Sequence, residues 1–309
     1  MPSRPQIHEP RDYPGLVLHV AGLALLAANK VRRTFRPYDR PRPWSAREID
    51  RSVDYVMALY GNWRTGFGDA GVGDWLRGRR VLELGPGPDL GTGLILLAHG
   101  AHSYLADDRF PLLGSTPEAF YDVLLERLSG APEVWRAVEA YQAFRRGDAG
   151  GALRYMILER IPGGAARPDG SPRDLWLSQA ALEHVADPGP FLGMLSGWCA
   201  PGALALHHID AATHTLWLRT ADPLNVLRYG RGVYGALSFP GTPNRWRRGQ
   251  YEECFRNIGW DVVDSQAVHR LSDRAIARAR RGLAREFRDL SDDELGVHSF
   301  RLVLKKRPT

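Results

Sequence analysis

Val81-Leu82-Glu83-Leu84-Gly85-Pro86-Gly87-Pro88-Asp89-Leu90-Gly91 is the stretch whose reading decides the fold. Its first four residues suit a short buried strand, and a glycine turn follows. A helix is predicted from Thr92 to about His99, with Gly100 as its stop. Glycines in such a turn let a ligand approach the backbone, and free N–H groups at the helix start can face a negative group. Strand, turn and helix therefore make a nucleotide-binding unit. A dinucleotide fingerprint would read Gly-x-Gly-x-x-Gly. Here the third glycine falls one place later, at Gly91, and Glu83 stands two residues before the first, so both features depart from the NAD pattern.

Working outward, Ser103-Tyr104-Leu105-Ala106 reads as a second strand ending in Asp107-Asp108. An acid about 20 residues past the glycine turn commonly bonds a ribose hydroxyl in this kind of fold. Counting from Gly87 favours Asp108 (108 − 87 = 21), with Asp107 as the competing choice. Later strands are predicted at Arg154 to Ile157, Asp174 to Ser178, Ala203 to His207, Gly259 to Val263 and Phe300 to Leu304. Pro117 to Leu128 and Pro132 to Phe144 have helical periodicity and read as an inserted pair. The segment from 211 to 250 is too long for a plain crossover, and its aromatics (Trp217, Tyr229, Tyr234, Phe239, Trp246) suggest an ordered lid.

The pattern Glu83-x-Gly85-x-Gly87-x-x-x-Gly91 resembles motif I of the class I S-adenosylmethionine (SAM)-dependent methyltransferases. The resemblance spans about residues 78 to 305 and implies an α/β, Rossmann-like, seven-stranded sheet flanked by helices. Six strands would be parallel, with the last antiparallel between the fifth and sixth. It also implies that Gly85, Pro86, Gly87 and Gly91 wrap the methionine part of SAM and that Glu83 orients it. Asp108 would take the ribose, Arg109 would lie near the adenine, and Asp169 is the nearest match to an adenine-contacting Asp. Ser178 and Gln179 would face SAM from the end of the fourth strand.

Leu182-Glu183-His184-Val185 resembles the methyltransferases called type 11, and His207-x-x-Asp210-x-x-x-His214 resembles a subgroup of them. Physically, His184, His207, Asp210 and His214 would converge at the carboxyl ends of neighbouring strands, where the methyl should point. Transfer to oxygen needs alignment and a base of near-neutral pKa, typically histidine. His184 or His207 is the expected base, with Asp210 orienting the imidazole. Against this stand a helix-capping or core role for His184 and a solvated loop role for His214. Asn244-Arg245 also resembles the subgroup and is the candidate acceptor-binding pair; a plain surface arginine is the alternative for Arg245. Glu183, His184, His207 and Asp210 are suitable metal ligands. Metal-dependent relatives use Glu-x-x-Glu-His, however, and Ala180 occupies the first of those positions, so no metal is expected.

Residues 1 to 45 form an N-terminal extension to the domain at 46–309. Residues 1 to 14 read as polar and loose. Leu16 to Ala28 is apolar all round and is followed by a basic run from Lys30 to Arg42. The apolar part alone is shorter than the about 20 residues a spanning helix needs, and the charge order is wrong for a signal peptide. Two readings stay open: a helix packed on the catalytic domain, or a helix in the membrane interface through residues 16–36, with Arg32, Arg33 and Arg36 at the headgroups. Ser45 is a predicted N-cap for a helix from Ala46 to about Tyr60, and the resemblance to class I methyltransferases implies that this helix covers the SAM pocket.

The net charge of +6 comes with no basic-plus-aromatic motif, which argues against nucleic acid. Cys199 and Cys254 make no disulfide framework and suit a reducing, cytoplasmic setting. The expectation is a SAM-dependent methyltransferase acting on oxygen of a small hydroxylated or sugar-like acceptor. Nitrogen methylation and metal-assisted transfer are the enzymatic alternatives. A non-catalytic SAM-binding or membrane-peripheral partner protein is the alternative of another class.

Overall fold

The computed structural model describes residues 5–35, 45–108, 113–157 and 170–308. Apolar side chains on both faces of the predicted strands assemble one eight-stranded sheet in the order β1-β7-β8-β6-β5-β2-β3-β4. The strands are β1 (Gln6–His8), β2 (Arg80–Leu84), β3 (Ser103–Asp108), β4 (Leu153–Ile157), β5 (Arg173–Gln179), β6 (Cys199–Asp210), β7 (Trp260–Leu271) and β8 (Val297–Lys306). β2 to β6 pair in parallel, and β8 runs antiparallel between β6 and β7, as expected. The eighth strand is β1, from the stretch read as loose. It pairs in parallel with the far end of β7, where a long strand would otherwise leave an open edge.

Alternation along the strands separates two cores. Val81, Leu175, Leu177 and Leu206 pack under α2 (Ala46–Asp69), α3 (Gly91–Ala98), α4 (Glu118–Arg127) and α5 (Val134–Arg145). Leu82, Trp176, Ala205 and Ile209 face α6 (Pro188–Trp198) and, once α7 (Leu216–Ala221) and α8 (Arg231–Leu237) have been passed, α9 (Arg248–Asn257). Ser45 caps α2 in a reciprocal capping box with Glu48. α2 runs past the expected Tyr60 and through Gly61 and Gly66, because Trp63 and Phe67 are buried beyond them. Helical glycine costs about 1 kcal/mol relative to alanine, which that burial outweighs. Gly66 is needed for contact: a Cβ there would meet Leu206 Cδ1 at 2.6 Å. An arginine-rich helix, α10 (Asp273–Arg280), is followed by α11 (Asp292–Gly296) with Ser291 as its cap.

The N-terminal helix α1 (Gly15–Phe35) has 21 residues and by length and composition could cross a membrane, unlike the shorter apolar stretch read from sequence. It packs against the lid rather than the sheet. Asn225 donates to the carbonyl of Leu18 (2.9 Å) and Tyr229 to that of His19 (2.9 Å). Gly22 allows this approach, since a Cβ there would lie 2.0 Å from Asn225 Oδ1.

Gly66→Val should lower stability by about 2 kcal/mol through overpacking against Leu206. Thermal denaturation should show a fall of several degrees, while Gly61→Ala, which faces open space, should not destabilise.

Candidate functional site

β2 delivers the chain into the glycine turn with Gly85 at φ 70° and Gly87 at φ 83°, the left-handed region that side chains disfavour. A Cβ on Gly85 would sit 2.7 Å from Ala181 Cβ, so the turn rests on the segment that follows β5. Around Gly87 no atom lies within 4 Å of that position, and this side of the turn is open. Gly91 could not be larger either, with Asp89 Oδ1 and Phe120 Cζ each 2.9 Å from its would-be Cβ. The first helical N–H is already used: Gly91 donates to Asp89 at 2.8 Å. Glu83 is buried, and its Oε2 accepts from Thr92 (2.6 Å) and Tyr104 (2.7 Å), which ties β2, α3 and β3 together. Burial pushes both acids up, Glu83 and Asp89 each to about 7.

Opposite the turn stands Tyr55 of α2, a residue the sequence did not single out. The residue is 57% exposed, yet its pKa is raised by burial of the hydroxyl end first and then by the charges of Glu83, Asp89 and Glu183. These three carboxylates therefore face one region, under the helix expected to cover the pocket.

The third wall is the turn after β5. Ala180 has φ 49°, a left-handed conformation costing a non-glycine residue roughly 1–2 kcal/mol. Its N–H donates to the carbonyl of His208 at 2.8 Å, so the sheet holds the strained residue in place. Asn244 then clasps the turn. Its side-chain amide donates to the carbonyls of Leu182 (2.9 Å) and Val185 (3.0 Å), and its N–H to that of Glu183 (2.7 Å). The turn presents Glu183 and His184 toward His214. The ligand atoms of these three lie within 4.8 Å of one another. Both Glu183 oxygens are buried with no hydrogen-bond partner among the described residues, and His214 Nε2 lies 3.8 Å from Oε1. His184 Nδ1 donates to the Gly241 carbonyl (2.6 Å) and His214 Nδ1 to that of Ala212 (2.9 Å), which assigns the lone pair of each ring to Nε2. Burial raises the pKa of Glu183, and the pKa of His214 is raised because the Glu183 carboxylate more than offsets its own burial.

Several predicted site residues sit elsewhere. His207, an expected base, is fully buried on the other face of the sheet, stacked on Phe255 with Trp176 at its edge. Its Nδ1 bonds the Ser178 hydroxyl at 2.8 Å, so Ser178 also points into the core rather than toward a ligand. Burial pushes His207 down to about 3, which leaves it neutral. The Gln179 amide donates to His208 Nδ1 (2.5 Å), whose Nε2 meets Ser299 (2.8 Å), a chain across the sheet face. Asp210 orients neither histidine: it pairs with Arg219 (2.5 Å) and accepts from the N–H of Ala212 (3.2 Å). Arg245 is not free for an acceptor. It donates to the Tyr229 carbonyl (2.6 Å), pairs with Glu286 (3.1 Å) and covers the rings of Tyr234 and Phe287. Arg109, Asp169 and Arg36 lie outside the described residues, as does the side chain of Asp108. Arg247, also missed, is fully buried and binds the carbonyls of Ala211 (3.0 Å), Glu294 (3.0 Å) and Val297 (2.6 Å), fixing the approach to His214.

The unfolded chain binds a proton at His207 near the ordinary pKa of 6.5, and the folded chain only near 3. Stability is therefore lost as pH falls below 6.5, by about 1.4 kcal/mol per pH unit through that window. His207→Phe combined with Ser178→Ala should flatten this part of the acid-denaturation profile and leave the site's chemistry intact.

No protein-family model matches the chain, and no curated protein matches it. Solved structures with a similar chain path include a SAM-dependent methyltransferase from Mesorhizobium loti (14% identity, TM-score 0.39, covering 75% of this chain and 93% of that one). Another is the [4+2]-cyclase SpnF (14%, TM-score 0.42, covering 98% and 100%). A third is an N-methyltransferase of Haemonchus contortus in complex with phosphomonomethylethanolamine and S-adenosylhomocysteine (13%, TM-score 0.42, covering 83% and 53%). The sheet itself, with β8 antiparallel between β6 and β7 and the glycine turn leaving β2, is the Rossmann-like arrangement that the resemblance to the class I SAM-dependent methyltransferases implies.

Proposed function

We propose that the chain is a SAM-dependent methyltransferase that transfers the methyl to an oxygen of a small hydroxylated acceptor, with Glu183, His184 and His214 as its reactive cluster. The observation that carries this is the buried Glu183 carboxylate, without hydrogen-bond donors and 3.8 Å from the His214 imidazole, beside the glycine turn. The residues around the turn suit the cofactor. Gly87 is open, and Glu83 and Asp89 supply negative charge without any lysine or arginine partner among the described residues. SAM would bring the sulfonium methyl. The turn at Gly85 to Gly87 would hold its methionine part, and Tyr55 would close over it.

The chain's own contribution is the acceptor proton. His214 keeps its lone pair on Nε2 and would take the acceptor's hydroxyl proton there, and the Glu183 carboxylate would stabilise the imidazolium. His184, with its ring edge against His214 at 4.8 Å, walls the acceptor side. Because His214 is raised above 6.5, turnover should fall on the acid side with an apparent pKa above that value. His214→Ala should lower kcat by about 10²- to 10⁴-fold. Glu183→Gln should lower it less and move the acid limb down. Neither should change SAM affinity by more than about threefold, as read by calorimetric titration; unaltered turnover in both variants would overturn the proposal.

The same cluster favours a second reading. Two imidazoles tethered through Nδ1 to backbone carbonyls, plus an unpartnered carboxylate, are suited to hold a divalent cation. It differs from the ligand types weighed from sequence, where no metal was expected, because His214 stands in place of the core residue His207 and the Arg219-paired Asp210. Turnover retained after exhaustive chelation would leave the histidine base; turnover lost, then restored by Zn²⁺, Mn²⁺ or Mg²⁺, would put the cation in its place.

Glu83 and Asp89 are held near 7 in the free protein, so a cationic cofactor displaces their protons. SAM should bind about three- to tenfold more tightly at pH 8 than at pH 6, with proton release seen across buffers of different ionisation enthalpy. S-adenosylhomocysteine, which lacks the sulfonium charge, should show a smaller dependence.

A further inference from the structure

α1 packs inward through one stripe only, Leu18, Gly22 and Leu26. Its outer side carries a second stripe, Val17, Val20, Ala24, Ala28, Val31 and Phe35, all exposed. Their spacing of three and four residues keeps them on one face. Val17 is 48% exposed, Val20 56%, Val31 58% and Phe35 77%, and Leu16 at the helix start adds 75%. An 18-residue window of this apolar helix is only 11% buried. The exposed face is therefore long and continuous, and no described residue covers it.

Charge says what covers it. Between Gly15 and Phe35 there is no acidic residue, while Lys30, Arg32 and Arg33 crowd the last turns. At the other end, a cleft of about 420 Å³ beside Leu16 and His19 is lined by Arg228, Arg278 and Arg281. Arg228 is answered by Asp222 and Arg278 by Asp12, while among the described residues no carboxylate pairs with Arg32 or Lys30.

 A second copy pairing helix to helix would bring two basic, acid-free faces together, which like-charge repulsion disfavours. An anionic bilayer surface complements both the apolar stripe and the cations at its two ends.

We propose that α1 docks the protein onto anionic membranes, lying in the interface with Val17, Val20, Val31 and Phe35 among the acyl chains. The helix does not span: the bonds from Asn225 and Tyr229 to its backbone carbonyls hold its inner stripe against the lid. Headgroup phosphates meet Arg32 at one end and the arginine-lined cleft at the other.

The test is co-sedimentation of the full chain with vesicles of phosphatidylcholine alone and with 30% phosphatidylglycerol (a proportion of roughly physiological charge density). The protein should pellet with the anionic vesicles and stay soluble with the neutral ones. Val20→Asp together with Val31→Asp changes exposed positions only and should weaken binding by at least about tenfold. SAM affinity should be unchanged in that variant, which separates loss of docking from loss of fold or of the proposed activity. Three outcomes would overturn the proposal. One is equal or absent binding to both vesicle types. Another is a dimer in sedimentation velocity that Val20→Asp dissociates, which would assign the face to a second copy. The last is membrane association that resists alkaline carbonate, which would mean that α1 spans.

Discussion

The site depends on three carboxylates kept out of water without a fixed cation to match them. Glu83, Asp89 and Glu183 are buried, and their charges converge on Tyr55. A buried carboxylate loses hydration worth several kcal/mol, and a protein ordinarily answers with an arginine, a lysine or a raised pKa. This chain, basic overall and rich in arginine, places none beside these acids among the described residues. It answers Glu83 with two hydroxyls and Asp89 with one backbone N–H, and it leaves Glu183 to a histidine at 3.8 Å. Such a pocket is selective by sign. A cation entering it recovers what burial removed, whether that cation is a sulfonium, an ammonium or a metal ion, and an anion does not.

Keeping this arrangement requires a rigid surround, and the arginines supply it from a distance. Arg247 binds backbone carbonyls on three segments and Arg245 bridges the lid to Glu286. Asn244 closes the turn that carries Glu183 and His184. Asn244-Arg245-Trp246-Arg247 thus works as a backbone fastener, not as a hand for the acceptor. Its polar groups are directed to carbonyls that would otherwise be buried without donors, a use for which the many-donor guanidinium is well suited.

The glycine turn, the strand order and the Ser45 cap were legible because each is a local pattern with a local cause. Side-chain facing was not. His207 and His208 are neighbours on β6, so period two sends them to opposite faces, and the sequence offers two adjacent histidines without saying which one meets the core. Ser178 is hydrogen-bonded to His207 across the β5–β6 pair, so one wrong face misplaced both. Ala180 is a different case. Nothing in an alanine announces a left-handed residue, since the bond to His208 and the clasp of Asn244 impose it from elsewhere in the chain. β1 and the second half of α2 were missed because neighbouring strands and buried aromatics stabilise segments that are weak on their own.

The lid joins the two unusual parts of the molecule. Tyr229 donates to α1 through its hydroxyl, and its carbonyl accepts from Arg245; the next residue back, Asn244, binds the carbonyl of Glu183. Each link is a hydrogen bond of 2.6–2.9 Å to backbone, so displacing α1 displaces the lid before it reaches the carboxylate. Contiguity of this kind transmits an effect only where some element has two arrangements. Arg245 is the strained link in this chain of bonds. It holds φ 71°, strained for a side chain, and is kept there by Glu286 and two aromatic rings rather than by the sheet. If docking of α1 leaves Arg245 in place, the bilayer only concentrates the enzyme and kcat is unchanged. If docking releases it, Asn244 shifts with it, the Glu183 turn loosens, and turnover should change on vesicles.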